Sequence, residues 1–226
     1  SGIENIKSLL LIDSNITYEQ PILSYKIRKA FLKDAKVNSI SSYNYKYNFD
    51  INNSLLVNPN SLSDTLVDII EYLSHITSSD KKLKSFNIPK NITKNFKGLT
   101  NKNIRDISND LLVNNSLILL GSNLKNHPDF ELLKILVNII SILTKSNKGF
   151  LTENCNELGA WITGCLPHKA EVMSNAKTFG LNVYESIKAK LDCYIIYNLE
   201  FIDFYYNQEL KKSLENAEFV LGIQSF

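Results

Sequence analysis

From Ser8 to Ile12 the chain is apolar almost without interruption, and the run breaks at Asp13-Ser14-Asn15, which predicts a buried strand ending in a turn. A helix follows from Pro21, where proline at the first helical turn is tolerated, with Leu23, Ile27, Ala30 and Phe31 at helical spacing. Val37 to Ile40 predicts a second strand, completing a unit of the size a parallel crossover needs. Ser61 to Ile76 predicts another helix, with Leu62, Leu66, Ile69, Ile70, Leu73 and Ile76 on one face. From 77 to 103 the pattern dissolves into lysine, asparagine and serine around Pro89 and Gly98, which reads as an exposed insertion.

The second half repeats this logic. Leu117 to Leu120 predicts a strand that ends at Gly121-Ser122-Asn123, and His127-Pro128 leads into a long helix. Glu131, Lys134, Asn138, Ser141 and Lys145 form one narrow polar stripe on it, so the remainder is expected to be buried around most of its circumference. It is too short and too interrupted to span a bilayer. Further strands are expected at 149–151, 193–197 and 219–223, with a helix near 208–216. Strands alternating with helices predict α/β layers on a mainly parallel sheet, divided into sub-domains at 1–110 (including the insertion 77–103) and 111–226.

Charge and composition narrow the classes. Lys plus Arg is 25 against 23 Asp plus Glu, a formal charge of +2, so neither a nucleic-acid partner nor an anionic membrane surface is favoured. The 44% hydrophobic and 21% charged residues are those of a folded chain. Asparagine occupies roughly one position in eight, a bias that an AT-rich coding sequence accounts for, and single asparagines are therefore weak functional evidence. Cys155, Cys165 and Cys193 are too scattered for a disulfide framework and suit a reduced, cytoplasmic compartment. The opening Ser1-Gly2-Ile3-Glu4-Asn5 has neither the basic nor the apolar region of a signal peptide, and Ser1-Gly2 is compatible with an excised piece of a longer chain.

Chemistry can gather at two loops, Asp13-Ser14-Asn15 and Gly121-Ser122-Asn123, each between the carboxyl end of a strand and a helix. Ser14, Asn15, Gly121, Ser122 and Asn123 are candidate phosphate-loop positions, because open α/β sheets collect ligands there. Serine and asparagine also turn and cap a chain without any ligand, and the full Gly-x-Gly-x-x-Gly pattern is missing. His75, His127 and His168 lack metal-ligand spacing, and the cysteines have neither zinc nor iron–sulfur spacing. There is no nucleophile elbow and no P-loop. The segment from Glu153 to His168 holds the single tryptophan, Trp161, between Gly159 and Gly164, and reads as a constrained loop with Asn156 and Gly159 as further candidates.

Four stretches carry a family resemblance. Leu11-Ile12-Asp13-Ser14-Asn15 with Glu19, Pro21 and Lys26-Ile27-Arg28-Lys29-Ala30 resembles a strand, "G-[ST]-N-P" loop and "R-I-R-K-A" helix. Ile118 to Asn123 with His127-Pro128 resembles a related strand and loop, and Asn156 to His168 is similar to an "N-x-x-G-A-W-x-x-G-x-x-P-H" segment. Leu191 to Tyr197 and Ala217 to Phe226 resemble the closing strands. The family is that of the large molybdopterin-oxidoreductase-like chains, and within it the G-type chains of bacterial NADH-quinone oxidoreductase (respiratory complex I).

The resemblance implies a doubly wound, mainly parallel α/β region of the formate dehydrogenase-like type, interior to a longer polypeptide whose iron–sulfur cysteines lie upstream. It implies a structural, non-catalytic element of the peripheral arm, at the cytoplasmic face of the bacterial inner membrane. Other subunits of complex I are its partners, with no membrane insertion and no cofactor of its own. The parent complex carries electrons from NADH to quinone. The alternative is a catalytic domain that binds molybdopterin guanine dinucleotide, as in formate dehydrogenase. Asp13 in place of the loop glycine would repel phosphate, and Ser41-Ser42-Tyr43 stands where an acidic guanine partner is expected. Both departures favour the cofactor-free reading.

Overall fold

A run such as Ser-Leu-Leu-Leu-Ile offers no polar side for water, so the strand it forms must be covered on both faces. In the computed structural model, which describes residues 2–77, 101–152, 156–172, 174–200, 202 and 207–224, β1 (Ser8–Ile12) is the central strand of a five-stranded sheet and is wholly buried. Its neighbours are β2 (Lys36–Ser41) and β4 (Ser116–Leu120), with β3 (Asn53–Leu56) and β5 (Asn147–Phe150) at the edges. The order is β3-β2-β1-β4-β5 and every pairing is parallel. The chain winds one way from β1 to β3 and the other way from β4 to β5, so the switch point lies between β1 and β4.

Alternation along the strands divides the core. Leu10, Ile12, Ile40, Ile118 and Leu120 meet α3 (Leu62–Thr77), α4 (Lys102–Leu111) and α5 (Phe130–Thr144) on one face. Leu9, Leu11, Val37, Leu117 and Leu119 meet Ile16 of α1 (Ile16–Glu19), Ile27 and Ala30 of α2 (Pro21–Phe31), and Phe49 on the other. Each fully buried leucine or isoleucine contributes about 1.5–3 kcal/mol.

The chain forms two compact units, Ser1–Glu153 and Asn154–Phe226. The position 110/111, expected as a sub-domain boundary, falls inside the first, within the last turn of α4, and β4 beyond it pairs with β1 over five residues. In the second unit β6 (Cys193–Tyr197) and β7 (Phe219–Ile223) make a parallel pair. Two helices, α7 (Val183–Lys188) and α8 (Asn207–Glu215), contribute the buried Ile187 and Leu210, and the Ser213 hydroxyl donates to the Ile187 carbonyl at 2.5 Å.

Three expectations change. The segment 156–168 is not a loop throughout: α6 (Glu157–Thr163) occupies its first half and ends at Gly164, whose φ of +76° closes the helix in the left-handed region. A Cβ on Gly164 would also stand 2.7 Å from the Ala170 carbonyl carbon. α5 is less enclosed than its stripe suggests, since Ile135 and Ile142 are exposed. Of the expected insertion 77–103, Thr77 ends α3 and Asn101 caps α4, while 78–100 lie outside the described residues. Among the described residues no helix is long and apolar enough to cross a membrane.

Candidate functional site

The two candidate loops meet at the switch point. Each strand ladder continues one bond past the strand end: the Asp13 N–H donates to the Ile40 carbonyl and the Gly121 N–H to the Ile12 carbonyl, both at 2.8 Å. This brings Gly121 against the backbone of the β1 loop. A Cβ at 121 would stand 2.0 Å from the Asp13 carbonyl oxygen and 2.8 Å from the Ser14 Cα, so only glycine fits. Asp13 itself turns the chain with φ of +43°.

Across this junction lies the carboxylate of Glu19, the last residue of α1. Its Oε1 accepts the Asn15 N–H at 2.5 Å, and its Oε2 accepts both the N–H (2.8 Å) and the hydroxyl (3.0 Å) of Ser122. Three donors from two loops thus converge on one anion, and that anion belongs to the chain. Next to it, Asp13 Oδ1 accepts the N–H (2.9 Å) and hydroxyl (2.7 Å) of Ser42, which ties the β1 loop to the β2 loop. The Gln20 side-chain amide donates to the Thr152 carbonyl at 2.8 Å, joining the end of β5 to the same cluster.

Tyrosines roof the junction. The Tyr47 hydroxyl donates to the Ser14 carbonyl at 2.9 Å and lies 3.2 Å from the Ser39 hydroxyl, with its ring stacked on Phe49. Burial pushes the Tyr47 phenol up to about 12, and the charges of Glu19 and Asp13 act in the same direction. Tyr45 is raised as well, first by burial and then by Asp13, while its hydrogen bond to the Asn123 side chain works against the shift.

For a dinucleotide phosphate the sequence candidates would need free donors at an open surface. Ser14 is fully buried and Ser122 is 4% exposed. The N–H groups of Asn15 and Ser122 already face Glu19, and Asn123 is engaged by Tyr45. At the end of β2, where the resemblance implies an acidic base-recognising residue, stand Ser41, Ser42 and Tyr43, and the Ser41 hydroxyl donates to the Tyr43 carbonyl at 2.8 Å. The Oγ atoms of Ser14 and Thr17 and Oδ1 of Asn15 are buried with no hydrogen-bond partner among the described residues.

Asn156 and Gly159 belong to the second unit, where the Asn156 side chain lies over Gly159 at the start of α6. In that segment Trp161 stands edge-on to His168, with the Lys169 ammonium over its ring. His127 accepts the Asp129 N–H at Nδ1, so its proton sits on Nε2, 3.1 Å from the Pro59 carbonyl it serves. Cys165 and Cys193 are free and exposed, and Cys155 lies outside the described residues. Among the described residues no group of His, Cys, Asp or Glu could hold a metal ion.

Sequence reasoning assigns no role to Glu19. Its spacing four residues after Asn15, at the end of a single helical turn, is the available signal.

Comparison with curated proteins gives no match. A family model described as molybdopterin oxidoreductase matches residues 1–226, the whole of the chain. The doubly wound parallel sheet, with its loops gathered at the β1/β4 switch point, fits that match, and the chain belongs to the molybdopterin oxidoreductase family.

Proposed function

We propose that this chain is a structural, non-catalytic module of an oxidoreductase assembly, of the G-type found in the peripheral arm of NADH-quinone oxidoreductase. The observation that supports this most is the Glu19 carboxylate on the donors of the switch point. The family implies molybdopterin guanine dinucleotide. The residues present do not fit that group: the donors carry an internal anion, the serines of both loops are buried, and Ser42 replaces a carboxylate that would accept from guanine. The module's work on this reading is mechanical. It holds a rigid sheet between neighbouring subunits, while iron–sulfur clusters elsewhere in the parent carry electrons from NADH towards quinone. Its place is the cytoplasmic face of the bacterial inner membrane, its partners are other complex I subunits, and it binds no nucleic acid.

Affinity capture of the full-length parent from its own membranes, followed by mass spectrometry and metal analysis, tests this reading. Recovery of the flavin-bearing NADH subunit and of quinone-proximal subunits, with no molybdenum, tungsten or pterin, is the expected result. Stoichiometric molybdenum or tungsten with pterin in the purified parent overturns it in favour of a catalytic molybdopterin enzyme.

A further inference from the structure

The Glu19 carboxylate does more than block a ligand. A parallel sheet leaves backbone N–H groups at its carboxyl edge, and in a ligand-binding member of this fold class an anion commonly satisfies them. Here the donors that converge between β1 and β4 come from residues more than a hundred positions apart, Asn15 and Ser122. We infer that Glu19 is an intramolecular ligand: one side chain takes the anion's place at the switch point and fastens the β1 and β4 loops in a closed arrangement that needs no cofactor. This rests on the cofactor-free reading above and deepens it.

Three features carry the inference. Both carboxylate oxygens are used, one for each loop, so the group bridges instead of capping a single turn. Hydrogen bonds to a charged acceptor are about twice as strong as neutral ones. The loops are already at the limit of approach, with room only for hydrogen at the Gly121 Cα, so the carboxylate holds together surfaces that fit without a spacer. Asp13 on Ser42 and Gln20 on Thr152 extend the same closure to the β2 and β5 loops.

The test uses the full chain with Glu19→Gln, which keeps the shape but turns an NH₂ group towards one of the donors, and Glu19→Asp, which keeps the charge and shortens the reach. Hydrogen exchange at the Asn15 and Ser122 amides is followed by mass spectrometry or NMR, and melting is recorded with and without inorganic pyrophosphate at matched ionic strength. The native chain is expected to protect both amides and to show no melting shift with pyrophosphate. Glu19→Gln is expected to speed exchange of at least one of the two amides about tenfold or more, and to lower the melting temperature by about 5 °C. Unchanged exchange at both amides in Glu19→Gln overturns the lock. A pyrophosphate-dependent rise in the native melting temperature overturns it too, because the donors would then be open. If Glu19→Gln does not fold, Glu19→Asp supplies the exchange comparison, and full native protection in it counts against a requirement for the bridging geometry. Metal and pterin content of the parent reports on the non-catalytic reading separately.

Discussion

Gly121 presses on Asp13 so closely that a single added carbon would sit 2.0 Å from the Asp13 carbonyl oxygen. The neighbouring atoms are backbone, fixed by ladder hydrogen bonds on both sides, and cannot swing away as a side-chain end would. Gly121→Ala is therefore expected to destabilise the first unit by about 3 kcal/mol or more, at the upper end of overpacking costs. Gly222 in β7 has none of the described residues within 4 Å of its would-be Cβ, so Gly222→Ala should change stability by less than about 1 kcal/mol. Urea unfolding of the two variants beside the parent checks the contrast.

A second carboxylate is tied down at the opposite end of the strands. Asp110, 5% exposed on α4, pairs with the Lys36 ammonium at 2.6 Å and accepts from the Asn38 side-chain amide at 3.1 Å. Asn38 is fully buried, so Asp110→Ala leaves its amide without this acceptor and should cost about 2–3 kcal/mol. Lys36 is half-exposed and returns to water when Asp110 is removed. Lys36→Met instead leaves the nearly buried Asp110 carboxylate with only side-chain amide donors and should cost about 2–3 kcal/mol as well. A double-mutant cycle in denaturant measures the coupling between the two residues; a coupling energy near zero would contradict the pairing.

The buried strands and long helices are legible because burial writes itself as apolar runs and three-to-four spacing, as in Leu9-Leu10-Leu11-Ile12 and Leu66-Ile69-Ile70-Leu73. β3 escapes such a reading because Asn53-Ser54-Leu55-Leu56 is a half-exposed edge with little apolar pattern. α4 escapes it because the helix carries polar residues at most positions and only Ile104, Ile107 and Leu111 mark the buried face. The boundary at 110/111 follows a repeat of strand and helix that pairs across one sheet, a long-range fact no local pattern carries. The loops Asp13 to Asn15 and Gly121 to Asn123 are recognisable locally as strand ends. What they hold is not, since the Glu19–Ser122 bond spans 103 positions.

Tyr47 gives the chain an alkaline signature. Its phenol is raised to about 12 in the folded state, against the ordinary value of 10 when unfolded. Between those values the folded chain holds the proton more tightly than the unfolded one, so this contribution to stability is complete below pH 10 and is lost as pH rises towards 12. Tyr47→Phe should remove that part of the slope in stability between pH 10 and 12. It should also delete a phenol titrating at about pH 12 from the ultraviolet tyrosinate spectrum. Retention of that late transition in Tyr47→Phe would assign it to another tyrosine.

Ser14 and Ser122 occupy matching places on the two switch-point loops, yet their hydroxyls stand in opposite situations. Ser122 Oγ donates to Glu19, whereas Ser14 Oγ is buried without a partner among the described residues. Removing a satisfied hydroxyl next to a carboxylate costs about 1–2 kcal/mol, while removing an orphaned one relieves a desolvation penalty of similar size. Ser122→Ala should therefore lower the denaturant midpoint and Ser14→Ala should raise it, each by an amount equivalent to about 1 kcal/mol. Two serines serving a bound phosphate would behave alike, both substitutions weakening pyrophosphate binding and neither raising the midpoint. Opposite signs without any pyrophosphate response mark a loop pair fastened from within. Losses of the same sign at both serines, accompanied by a loss of pyrophosphate binding, would mark a working ligand site.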